Sequence, residues 1–361
     1  DWFRHGHHSD KTYDSVILHV VSEADTEITR SNGEQIPQLL LTCPENVQLH
    51  YHELCVADQY PACYPILASL PKLTIHSWLT ALQTERLEQK AQLITQRLKH
   101  CNSNWEDAFF ITLARNFGFG LNGDAFETWA GLLPFRAMDK HRNDLFQIEA
   151  FFYGLAGLLE ETLLKKEQED EYSLRLCKEF RYLQRKFEIG QGMDATLWRF
   201  LRLRPENFPH IRLAQLAYLY QKGDKLFSRL LEAETLADVR TLLNARTSPY
   251  WENHYLFGRL SSQKEKAMGE RSKDLIIINT VVPFLYTYGL HKADERMCER
   301  AGRFLEELKA ESNHIIRSWS DAGLPVVSAA DSQALIQLQK EYCDKRKCLY
   351  CRFGYEYLKH T

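Results

Sequence analysis

The sequence predicts an α+β protein, with a small N-terminal β element followed by a large, mostly α-helical body. Three observations predict it. β-branched residues alternate along Tyr13–Val21, a turn-flanked apolar run follows at Pro37–Thr42, and beyond Pro71 the apolar residues change to helical spacing. Residues 1–70 are therefore expected as a β-rich segment and 71–361 as a helical domain ending in a cysteine cluster.

In Tyr13–Val21, Val16, Leu18 and Val20 fall on one face and Ile17, His19 and Val21 on the other. Both faces are mostly apolar, which predicts a strand covered on both sides. Glu27–Arg30 is expected to pair with this strand or the next, because Ser31-Asn32-Gly33 is a hairpin-type turn. Pro37–Thr42 is the third strand. Pro44, Pro61, Pro65 and Pro71 punctuate the next stretch, so Cys43–Pro71 reads as a connection with little regular structure. Thr74 is placed to cap a helix carrying Ile75, Leu79, Leu82, Leu87, Ala91, Ile94 and Leu98 at helical spacing. Asn104 caps the next helix, with Asp107 where a carboxylate meets free amides and Phe109, Phe110, Leu113 and Phe117 on the buried side. Gly118 and Gly120 end it, Asn122 starts another, and Pro134 closes that one. Asp144–Leu164, Tyr172–Glu188, Pro209–Gln221, Leu226–Ala245 and Ala293–Glu311 are expected as further helices. Lys165–Glu171 reads as a charged helix end or loop. No fixed-period repeat is present.

A net charge of −3 over 361 residues argues against a chain-wide nucleic-acid coat but leaves room for a local basic groove. The longest apolar run, Leu275–Leu290, is broken by Asn279, Thr280 and Pro283 and reads as a core helix, so no membrane partner is expected. There is no signal-peptide pattern. Nine cysteines is an odd count at low density, which suits a reducing cytoplasm. The sequence opens without methionine and in mid-motif, and upstream residues are expected.

The densest chemistry lies in Trp2-x-x-His5-Gly6-His7-x-x-Asp10-x-x-Tyr13. Gly6 permits a tight turn between two imidazoles, and Asp10 can orient an imidazole or ligate a cation. His5, His7, Asp10 and Tyr13 are thus the candidate catalytic residues. The plainer reading is a polar surface turn leading into a sheet.

The phrase WFRHGHHSDKTYDSVILHVV resembles a hallmark of the bacterial family catalogued as domain of unknown function 2851. LTIHSWLTALQTERLE, WEDAFFITLARNFGFGLNGDAFE, RPENFPHIRLAQLA and EYCDKRKCLYCRFG extend the resemblance along the whole chain. The family brings no assigned activity. Its members carry upstream a Gly-Pro-Asp-Phe phrase and a strand ending Val-Glu-Ile-His, similar in order and spacing to the acidic core of PD-(D/E)XK nucleases. His-x-x-Asp-x-x-Tyr before a buried strand is similar to the segment that follows that core in Vsr-like endonucleases. The resemblance implies that the β element is part of a truncated α/β nuclease-like domain, with an Asp and a Glu holding Mg or Mn to activate water. Neither acid is in this chain, which is therefore expected to be inactive as it stands, and histidine replaces the nuclease lysine.

Cys343-x4-Cys348-x2-Cys351 is the candidate metal set. Cys348 and Cys351 fall on one helical turn, thiolates suit zinc or an iron–sulfur cluster, and Lys345, Arg346, Lys347 and Arg352 favour thiolate over thiol. A fourth ligand is needed from Cys298, Cys177, Cys63, His360 or an external group. Some PD-(D/E)XK nucleases are similar in pairing three C-terminal cysteines with a remote one, at other spacings. The alternative is three reduced cysteines near a helix end.

In Trp198–Gln215, Arg199, Arg202, Arg204 and Arg212 surround a rigid Pro205–Pro209 link with Trp198, Phe200 and Phe208 interleaved. Arginine forks beside aromatics suit phosphate and base contacts, and Asn207 is placed to cap the next helix. Pairing with Glu206 and other acids is the commoner fate of such clusters. Asn116–Asp124 is glycine-rich but lacks the P-loop lysine, so it reads as a helix end, and His50-Tyr51-His52 falls in an irregular stretch.

The leading expectation is a cytoplasmic protein that binds DNA or RNA, or a metal-dependent nuclease-like protein whose catalytic acids lie upstream. The alternative is a non-catalytic helical interaction or scaffold protein with a structural cysteine metal site.

Overall fold

The computed structural model describes residues 1–58, 61–159 and 170–359. Most are helical, and the strands form two small two-stranded sheets, so the fold is a mostly helical body with small β elements. Among the described residues no helix is long and apolar enough to cross a membrane. The charged run predicted at Lys165–Glu171 lies almost wholly outside the described residues.

The chain divides into two compact units. One comprises Asp1–Trp78, His314–Pro325 and Ile336–Thr361, the other Leu79–Asn313 and Val326–Leu335. The C-terminal cysteine segment thus belongs with the N-terminal residues and not with the helical body. Its Arg352–Lys359 helix buries Phe353 and Leu358, packs on the helices Glu45–Val56 and Tyr64–Leu67, and donates from the Tyr357 hydroxyl to Glu53 at 3.0 Å.

In the first unit, Trp2, Ile28 and Ile36 form a small core with Tyr13 and Val16. The predicted strand Tyr13–Val21 shortens to His19–Val21, paired in parallel with Gln38–Leu40. Two competing bonds explain the loss. The Asp10 carboxylate accepts from the Thr12 amide and caps a 3-10 turn at Lys11–Tyr13, and Arg30 donates to the Val16 carbonyl at 2.8 Å. The pair is not covered on both sides, since Ile17, Val20, Leu39, Leu40 and Leu41 are exposed. The Gly33 turn forms at φ +82°, and Glu27–Arg30 pairs across it through an isolated Thr29–Gln35 bridge, with Arg30 N–H donating to the Glu34 carbonyl at 2.9 Å and Ile36 N–H to the Ile28 carbonyl at 3.0 Å. Cys43–Pro71, expected to be irregular, holds the helices Glu45–Val56 and Tyr64–Leu67. Pro44 precedes the first and Pro65 sits in the first turn of the second, where a missing amide proton costs nothing.

The second unit is built round one large apolar core. The Lys72–His100 helix starts before Thr74, which is therefore not its cap. Asn104 caps Trp105–Phe117 as predicted, accepting from the amides of Glu106 and Asp107 at 3.0 and 3.3 Å. Leu226–Ala245 divides into Leu226–Glu232 and Leu236–Leu242, because Thr235 and Asp238 form a capping box inside it. The apolar run at Leu275–Leu290 is a core helix with a π segment at Ile277–Val281. Pro283 has no amide proton for the Asn279 carbonyl four residues back, and Asn116 Nδ2 donates to that carbonyl at 3.0 Å.

The core also buries ionisable groups. Glu149 is fully buried on the Leu145–Leu155 helix and accepts from the Tyr172 hydroxyl; burial raises its carboxyl to about 7. His210, whose carbonyl accepts from the Tyr153 hydroxyl at 2.7 Å, is pushed down to about 3 by burial.

Candidate functional site

Gly6 adopts φ +71° and turns the chain so that His7 N–H reaches the Trp2 carbonyl at 3.1 Å. The turn gathers rings round Trp2: His7 lies 5.5 Å and Tyr13 5.8 Å from it, His7 and Tyr13 are 4.1 Å apart, and His5 stacks on His7 at 5.8 Å. His5, His7 and Tyr13 are therefore neighbours. Asp10 is engaged locally: the Thr12 amide holds its carboxyl below the ordinary range. Among the described residues, no three His, Cys, Asp or Glu side chains are drawn together as a metal ion's ligands would be.

The arginines of the 199–212 stretch separate into two environments. Asn122 clamps the Arg199 backbone, accepting from its amide and donating to its carbonyl, both at 2.8 Å. Arg199, Arg202 and Arg204 are exposed on this loop beside Leu201, which is 82% exposed. Arg212 does not join them. It is buried, lies 4.4 Å over the Phe119 ring, donates to Gln215 and Asn207 at 2.8 and 2.6 Å, and is lowered to about 10 by burial. Asn207 consequently does not cap the Pro209–Lys222 helix, which starts without a side-chain cap.

A cleft that sequence reasoning did not anticipate opens in the same unit. It has a volume of about 790 Å³, and its lining includes Lys90, Arg97, Arg115, Asn116, Glu127 and Asn279. Lysine and arginine supply three cations there, against the single carboxylate of Glu127. Arg97 donates to Thr112 at 2.6 Å and pairs with Glu127, which also holds Arg115; Arg115 reaches Asp124 at 2.7 Å. Lys90 donates to Asn279 at 3.1 Å. The only sequence signal was Lys90 and Arg97 seven residues apart on one helix face, a spacing that solvated faces share.

Cys343, Cys348 and Cys351 are brought together, and Cys63 joins them round one small pocket with Trp319 and Arg346. Of the other proposed fourth ligands, Cys177 and Cys298 donate to the carbonyls of Leu159 and Tyr286 in the second unit. His360 lies outside the described residues. His50 and His52 lie on the Glu45–Val56 helix, where a two-residue spacing turns them to different faces.

The family described as "Protein of unknown function (DUF2851)" matches residues 1–314. No curated protein and no solved structure matches the chain.

Proposed function

The chain belongs to the DUF2851 family, and from that premise we propose that it binds nucleic acid through the phosphate backbone, using its second unit. The observation that carries this reading is a cationic cleft and an exposed arginine loop attached to the same short helix. Glu127 and Asp124 of Gly123–Gly131 hold Arg115 of the cleft, and Asn122, immediately before that helix, clamps Arg199 of the loop. Arg199, Arg202 and Arg204 supply fork-shaped donors for phosphate oxygens, and Leu201 supplies an apolar surface for a sugar or base. The cleft is large enough to admit several polar groups, and Lys90, Arg97 and Arg115 stand in its lining.

Titration of labelled single- and double-stranded DNA and RNA at several salt concentrations tests the proposal. Binding that weakens steeply with salt supports it, because each neutralised phosphate releases counterions. No binding at low salt overturns it.

A catalytic reading rests on the ring cluster of His5, His7 and Tyr13, with Asp10 beside it, and on Mg or Mn held by acids that this stretch does not contain. With the upstream acids restored in the full-length protein, cleavage of labelled DNA or RNA that requires Mg²⁺ or Mn²⁺ and disappears in His7→Ala is its expected signature. No cleavage by that protein, or cleavage indifferent to metal or to His7, refutes it.

A further inference from the structure

The cysteine trio visible in the sequence is a quartet in space. Cys63, Cys343, Cys348 and Cys351 line one pocket of about 30 Å³, roomy enough for an ion or a water-sized group. Its other walls are largely apolar, with Leu54, Ala57, Ala62 and Trp319 among them. All four cysteines are reduced. We propose that Cys63, Cys343, Cys348 and Cys351 form a tetrathiolate site for a thiophilic metal centre, either a zinc ion or an iron–sulfur cluster.

Two observations carry this. The first is a set of buried donors. The indole N–H groups of Trp78 and Trp319 are buried without an oxygen or nitrogen partner, and these residues are only 8% and 1% exposed. Trp319 lines the pocket, and Trp78 faces the Cys351 sulfur together with the backbone N–H groups of Phe353 and Gly354. A neutral thiol is a weak acceptor for so many donors. A metal-bound thiolate is a strong one, and such donors tune the centre it ligates.

The second is backbone shape. Cys348–Tyr350 forms a 3-10 turn, which sets residues three apart on the same side, so Cys348 and Cys351 share a face. The turn closes against Gly354, where an added Cβ would stand 2.2 Å from the Cys348 carbonyl oxygen. Only glycine lets the Arg352–Lys359 helix start this close to the turn.

Without a cation the four sulfurs are not converged on one point. A bound cation inverts this: each ligating thiol gives its proton to solvent, and the sulfurs turn inward. Zinc on four thiolates would leave a net negative centre, and Arg346, which donates to the Cys55 carbonyl, stands in the pocket wall. An iron–sulfur cluster needs iron and sulfide as co-reactants in assembly.

The test is metal analysis of the whole chain purified without oxygen: zinc, iron and acid-labile sulfide by element, with the visible absorption spectrum. About one zinc per chain, or iron with matching sulfide and a broad visible band, supports the site and identifies its occupant. In Cys63→Ser the metal content should fall below about a tenth of wild type, because a structural site closes only with its full ligand set. Should Cys63→Ser fail to fold, Co²⁺ added to the metal-free wild-type chain should give the intense spectrum of tetrahedral thiolate cobalt. Trp78→Phe, which keeps every ligand, should weaken zinc affinity about tenfold. A wild-type chain with no metal and no cobalt spectrum overturns the proposal. So do disulfides among the four, or full metal retention in Cys63→Ser.

Discussion

Two buried clusters of ionisable side chains meet the same difficulty and resolve it differently. Round Glu149, in the second unit, the acid has a donor in Tyr172, is walled by aromatic rings, and keeps its own proton up to about pH 7. Round Cys351, in the first unit, donors outnumber acceptors and the sulfurs border an open space. Burial makes the acid neutral in spite of its donors, whereas donors gathered on a sulfur favour its anion, and a thiolate persists in such a place only beside a cation. If the quartet holds metal as proposed, the contrast separates a charge that folding suppresses from one that a bound cation sustains.

The largest expected effect breaks the comparison if it is absent. Stripping metal with a chelator should destabilise the first unit by on the order of 4 kcal/mol, read as a lower thermal midpoint restored by the metal, since a ligand at a thousandfold its Kd contributes about that much. Glu149→Gln should leave this response intact.

The next prediction concerns pH. Unfolded, Glu149 loses its proton above 4.5, but folded it keeps it to about 7, so it makes stability fall as pH rises through that window. Unfolded, His210 gains a proton below 6.5, but folded it stays neutral to about 3, so it makes stability fall as pH drops. Between 4.5 and 6.5 the two slopes oppose and cancel. Glu149→Gln should uncover the histidine slope, a loss of about 3 kcal/mol on acidification from about pH 6.5 to about 4.5, seen in urea midpoints. A variant whose slope over this range equals that of wild type would remove the carboxyl from the comparison.

Gly354→Ala should cost about 1–3 kcal/mol through overpacking and lower metal content with it; unchanged metal would show that the Cys348 turn is dispensable. Smallest in stability is the combined Arg199, Arg202 and Arg204 to Ala variant, with a shift of less than about 0.5 kcal/mol. Its effect should appear instead in nucleic-acid titrations, where the salt slope falls by about 1 for each phosphate no longer neutralised.

What was legible in the sequence was local. The Asn104 cap, the buried Leu275–Leu290 run and the helical spacing beyond Pro71 depend on residues within a few turns of one another, and they appear in the structure. The Glu45–Val56 helix was missed because prolines were read as excluding helix, although they lie outside its interior. Cys63 could not be chosen among the remote cysteines, because spacing along a chain carries no information about where a distant helix returns. Arg212 was grouped with the exposed arginines by proximity, but helical phase places it inward on Phe119. The cleft was invisible for a related reason: its cations lie on separate helices, and each alone looks like a solvated face.

The π segment at Ile277–Val281 has a consequence for editing the chain. A π turn holds one residue more than an α-helical turn, so one residue there is surplus to the register of the helix on either side. Removing one residue there should return the helix to ordinary winding without rotating the buried faces before and after it. The same deletion elsewhere in Val282–Lys292 would turn core residues toward water. What the fold would lose is the Asn279 position in the wall of the cleft.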